Sequence, residues 1–160
     1  MTRWFEVKEK INPSKKERAI ISEIRQHGYH FGYSLASSRK YLRELTKIYP
    51  EYCFLQSKWE NYRDNRVLAI TIPDESPDES LVVVFYPSLR HAIKSNSSAT
   101  KERITEIEVI VHELSHVILY QHSKDLSLKE HGSRFKQVYT KMCIKYKIRY
   151  PDDRYFIDPE

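Results

Sequence analysis

Residues 104–135 read ITEIEVIVHELSHVILYQHSKDLSLKEHGSRF, and the parsing of this stretch decides the fold. Ile104, Ile107, Ile110, Val111, Leu114, Val117 and Ile118 recur at helical spacing, which predicts one helix with a broad apolar stripe. Inside it, His112-Glu113-Leu114-Ser115-His116 is an HExxH pattern. Histidines four residues apart sit one turn apart on one helix face, so both imidazoles can reach the same metal ion. Glu113 projects about 100° away from His112, beside an ion's water rather than on the ion. Zinc lowers the pKa of a bound water toward about 7, and a neighbouring carboxylate can take its proton as it attacks a carbonyl. The mean direction of the two histidines lies opposite the centre of the stripe, with Val109, Leu119 and Tyr120 on its flanks. The helix is therefore expected to be covered on both sides.

At this composition about 0.03 accidental HExxH matches are expected in the chain, so the pentamer needs a third ligand to support it. His122 stands six residues after His116, the spacing of the third histidine in HExxHxxGxxH metalloproteases. That geometry requires the chain to leave the helix at the glycine, and here the position is Leu119. If the helix continues, position 122 lies about 240° round from position 116. His131 is the better candidate. Ser127-Leu128-Lys129-Glu130 before it resembles a capping box, and Phe135, Val138, Met142 and Tyr146 continue an apolar stripe in register with it. A second helix is expected to begin near His131, with Gly132 allowing close backbone approach.

Upstream, Asn12-Pro13-Ser14 marks a helix start, followed by Ile20, Ile21 and Ile24 and a stop at Gly28. His27–Tyr33 is aromatic-rich with two glycines and is expected to be a packed turn. Ser37 and Ser38 open a second helix through Tyr41, Leu42, Leu45 and Ile48. Strands are expected at Glu51–Trp59, Arg66–Ile72 and Leu81–Tyr86, and their short connections favour an antiparallel sheet. The fold class is thus α+β: N-terminal helices over about residues 1–50, then a small three-stranded antiparallel sheet and two helices sharing a metal over about 51–148. The whole of 1–160 is expected to be a single domain.

HELSH, fourteen intervening residues and HGSRF together resemble the signature of SprT-like metallopeptidases, HExxH-x14-HGxxF, over about residues 104–142. That family includes the Spartan proteases, which cleave proteins crosslinked to DNA. The resemblance implies a minimal zincin-like fold, Zn2+ held by His112, His116 and His131, and Glu113 as general base. It also implies an endopeptidase acting on protein or peptide, with DNA-bound or DNA-crosslinked proteins as substrates and single-stranded or damaged DNA as a partner. Many relatives add a C-terminal zinc ribbon, and no cysteine pair follows the HGSRF segment here. Recruitment to DNA would then fall to a partner protein or to basic clusters of the domain itself, Lys15, Lys16 and Arg18, Arg39, Lys40 and Arg43, or Lys136, Lys141, Lys145 and Lys147, each cluster also readable as a solvated helix face.

Composition narrows the field further. A formal charge of +5 and a pI near 9.1 permit a polyanionic partner without requiring one. Cys53 and Cys143 form no CxxC pair, which excludes a disulfide framework or zinc ribbon and fits a reducing compartment. No signal-peptide pattern or membrane-length apolar run is present, so the expectation is a monomer in the cytoplasm, nucleoid or nucleus, with no membrane partner. Two rivals stand beside the DNA-linked protease: a metalloprotease with a non-DNA regulatory or processing substrate, and a non-catalytic zinc-containing module that binds nucleic acid or protein. Glu108, Asp125 and Glu130 are candidates to brace a ligand histidine, His91 is a weak ligand candidate, and Tyr120 and Tyr139 are candidate oxyanion stabilisers.

Overall fold

Seven elements follow one another in the computed structural model, which describes residues 8, 12–36, 38–48, 68–73, 80–87, 89–90, 105–122 and 132–148. The first helix, α1 (Lys15–Gln26), starts where the sequence says it should. The Ser14 hydroxyl accepts the Glu17 N–H at 3.1 Å, and the Glu17 carboxylate accepts the Ser14 N–H at 3.0 Å. This reciprocal pair satisfies two N–H groups that the helix itself cannot. Ile20, Ile21 and Ile24 are its buried stripe. Gly28 at φ 89° then turns the chain, a conformation that costs little only without a Cβ.

The expected turn at His27–Tyr33 is in part a strand. β1 (His30–Ser34) runs parallel to β3 (Leu81–Phe85), and β2 (Ala69–Ile72) runs antiparallel to β3, in the order β1-β3-β2. The three-stranded sheet is therefore mixed rather than wholly antiparallel, and its first strand lies within the segment expected to be helical. The expected strand at Glu51–Trp59 falls outside the described residues. Parallel pairing needs a long crossover, and α2 (Ser38–Ile48) together with β2 lies between β1 and β3 in the chain. Phe31 and Tyr33 alternate with Gly32, so both rings point to the same side of the sheet. Lys8 adds an antiparallel bridge to Tyr33.

β3 is buried along its full length, which explains the continuous apolar run Leu81-Val82-Val83-Val84-Phe85. Val82, Val84, Phe31 and Tyr33 join a core with Ile20, Ile24, Ile110, Leu114 and Val117. Phe85, of opposite parity, packs edge-on against Tyr41 of α2 at 5.4 Å. The sheet thus lies between α2 on one face and the helical layer on the other.

That layer centres on α3 (Glu106–His122), packed against α1 and α4 (Ser133–Tyr146). The Thr105 hydroxyl caps α3 by accepting the Glu108 N–H at 3.2 Å. Residues 108–117 of α3 are buried without interruption, as expected for a helix covered on both sides. In α4 the buried positions are Phe135, Tyr139 and Cys143, with Met142 and Tyr146 only partly covered. The stripe centre is therefore turned by about a residue from the expected Phe135-Val138-Met142-Tyr146 line. Among the described residues no helix is long and apolar enough to cross a membrane.

Candidate metal centre

The middle of α3 carries His112, Glu113 and His116, which are 7%, 4% and 6% exposed. Charged and imidazole groups are rarely so buried unless something compensates their lost hydration. The two Nε2 atoms lie 3.2 Å apart, with ring centroids at 4.9 Å. Two nitrogens bound to one tetrahedral zinc at about 2.0–2.1 Å would sit about 3.3 Å from each other. The pair therefore has the spacing of two ligands of a single ion, and the residues present fit that group. One ligand atom each from His112, Glu113 and His116 falls within 4.8 Å of the others.

Aromatic rings hold the imidazoles. Phe135 of α4 lies 4.8 Å from the His112 ring and 4.5 Å from the His116 ring. Tyr139 meets His112 edge-on at 5.5 Å, and Tyr120 stacks on His116 at 6.1 Å. These ring contacts restrict the imidazole planes, and so the directions of the nitrogen lone pairs. Phe135, four residues after position 131, thus meets both histidines of HELSH in space. Gly132 is the buried N-cap of α4, with extended backbone. His131 itself lies outside the described residues, as do His91, Asp125 and Glu130.

α3 runs unbroken through Leu119 and Tyr120 to His122. The chain does not leave the helix after His116, as a third ligand at position 122 would require, and the helical path puts that position about 240° round from His116. Glu108, one turn before His112, is buried, and its carbonyl accepts the Tyr139 hydroxyl at 3.4 Å. Tyr139 is thereby directed into α3. Burial, and secondarily the Glu108 charge, pushes the Cys143 thiol up to about 12, consistent with an inert structural cysteine. Cys53 lies outside the described residues.

One residue at the centre was not legible in the sequence. Thr71 of β2 donates its hydroxyl to Glu113 Oε2 at 2.5 Å, and the Thr71 hydroxyl oxygen is also 3.4 Å from the Glu113 carbonyl oxygen. Forty-two positions separate the two residues, and nothing in a β-branched run around Ile70 and Ile72 marks one threonine as facing a carboxylate. Only the docking of the sheet on α3 brings them together.

No known family model matches this chain, nor does any curated protein or any solved structure.

Proposed function

We propose that this chain is a SprT-like, zinc-dependent endopeptidase, and the observation that carries the reading is the buried His112–His116 pair at chelating distance beside a buried glutamate. His112 and His116 would hold the ion through Nε2, with His131 as the third ligand. Bound there, zinc would acidify a coordinated water and polarise the substrate carbonyl. Glu113 takes the proton of the water that adds to the peptide carbonyl and passes it to the departing amine nitrogen. A C–O bond replaces the C–N bond, and Glu113 ends as it began.

The substrate is proposed to lie extended along β2. Among the described residues this strand pairs only with β3, and a peptide added along its other edge would be held by backbone hydrogen bonds. Thr71 ties that strand to Glu113, which sets the proposed docking edge next to the base. The buried carboxylate also weighs against the non-catalytic rival, since a site that only stabilises the fold gains nothing from an acid beside its ligands.

A nucleic-acid-associated substrate is the second part of the proposal, and it rests on charge. Every exposed charge on α1 is basic: Lys15, Lys16, Arg18 and Arg25. Its two acids are engaged, Glu17 in the capping box and Glu23 with Lys145 and Tyr146. α4 contains no acid at all, and Lys16 Nζ donates to the Lys147 carbonyl at 3.4 Å, which joins the two helices' basic surfaces. A metalloprotease with no nucleic-acid link is the alternative.

Metal analysis tests the ligand set. About one zinc per chain is expected in the wild type, lost in His112→Ala and His131→Ala and kept in His122→Ala. Loss of the metal in His122→Ala alone would overturn the assignment.

A further inference from the structure

We propose that Thr71 is the positioning residue for Glu113: its hydroxyl holds Oε2 so that the other carboxylate oxygen faces the reacting water and the side chain stays off the metal. The inference rests on the reading of Glu113 as the general base. On the sheet face that packs against α3, the neighbouring side chains of β1, β2 and β3 are Phe31, Tyr33, Val82, Val84 and Ala69. Thr71 pairs in register with Val82 and shares its face with Ala69. A valine would fill this position with the same shape and equal strand preference, so packing does not account for the hydroxyl. It meets a carboxylate instead.

The distances show how the hydroxyl is used. Thr71 has one proton to give, and Glu113 Oε2 at 2.5 Å is far closer than the Glu113 carbonyl at 3.4 Å. An O–H···O⁻ contact of this length belongs to the charge-assisted class, roughly twice as strong as a neutral hydrogen bond. A glutamate has three rotatable bonds, and its carboxylate lies within 4.8 Å of the histidine nitrogens. Unrestrained, it could swing onto an ion in the His112–His116 site as an extra ligand. Its proton-accepting oxygens would then be occupied. Held from the sheet side, it stays beside the ion. A misplacement of about 1 Å in such a group can cost a hundredfold in rate.

The test uses the full chain and two readouts. In metal-free protein carrying 13C at glutamate Cδ, the Glu113 carboxyl resonance, assigned by its disappearance in Glu113→Gln, should move in Thr71→Val and return in Thr71→Ser. In zinc-loaded protein, kcat for casein cleavage should fall about ten- to a hundredfold in Thr71→Val with KM within about twofold, and Thr71→Ser should recover to within about threefold. Glu113→Gln should weaken zinc binding more in the Thr71→Val background than in the wild type, because the carboxylate is held off the ion less firmly without the Thr71 hydroxyl. An unmoved carboxyl resonance in folded Thr71→Val overturns the tether. A moved resonance with unchanged kcat overturns the positioning role. If Glu113→Gln also cleaves normally, the general-base reading fails instead, and the resonance still decides whether the tether exists. Should Thr71→Val not fold, Thr71→Ala with the same readouts takes its place.

Discussion

At the scale of single residues, the centre depends on side chains that touch the histidines as much as on the histidines themselves. Phe135 is fully buried and lies against both imidazoles. Phe135→Ala should cost about 3–5 kcal/mol by thermal or chemical denaturation, and zinc should dissociate faster because the rings lose their backing. A variant with unchanged stability and metal retention would contradict this packing role. Glu23 makes a different kind of link. Burial raises its pKa, but hydrogen bonds from Lys145 and Tyr146 and the charges of Lys145 and His27 outweigh that and hold it below its ordinary 4.5. A carboxylate with a depressed folded pKa stabilises fully above the unfolded value and loses that contribution as pH falls through the folded one. Glu23→Gln should therefore destabilise by about 1 kcal/mol at neutral pH, and the difference from wild type should shrink below pH 4.5. A gap that stays constant down to pH 2 would show that Glu23 stabilises by other means. HExxH, the HGSRF segment and the helix start at Asn12-Pro13-Ser14 are visible at this scale because each acts over a few residues of chain. The hydroxyl of Thr71 is not, because its partner is 42 positions away.

At the scale of elements, the four helices could be read from periodicity and capping, whereas the sheet could be read only in part. α3 and α4 repeat apolar residues at helical spacing over 17 and 14 residues, long enough for the period to declare itself. β1 has five residues, one of them Gly32, and local preference there favours a turn. Its strand conformation comes from hydrogen bonding to β3, about fifty residues further on, and tertiary context of that kind overrides local preference. The same remoteness hid the parallel orientation. Caps are the local exception, and Ser14→Ala should destabilise α1 by about 1 kcal/mol in a denaturant titration. No measurable change would mean that docking on α3 alone defines the start of that helix. The end of α1 is also tied to α3, where His27 Nδ1 meets Gln121 Oε1 at 2.5 Å and Gln121 Nε2 donates to the His27 carbonyl at 3.1 Å.

At the scale of the whole molecule, the sheet and α4 approach α3 from different elements, one bringing Thr71 to Glu113 and the other bringing Phe135 to the histidines. Among the described residues, basic side chains gather on α1 and α4. Arg134 and Lys141 fall within about 20° of one another around α4, and Lys16 stands next to its end, while Lys145 is paired with Glu23. If about three phosphates are neutralised there, log K for duplex DNA should fall with log salt at a slope of about −2.7. Lys16→Glu/Lys141→Glu should weaken binding and flatten that slope, and salt-independent or absent binding would remove nucleic acid from the proposal while leaving hydrolysis untouched. Peptide-bond hydrolysis through Glu113 is read out by one comparison. Casein is incubated with the zinc-loaded wild type and with zinc-loaded Glu113→Gln, and new peptide ends are counted over time. The wild type should cleave, and Glu113→Gln, still holding one zinc per chain, should fall below about one hundredth of that rate. Equal cleavage by the two proteins, or none by either, would contradict it.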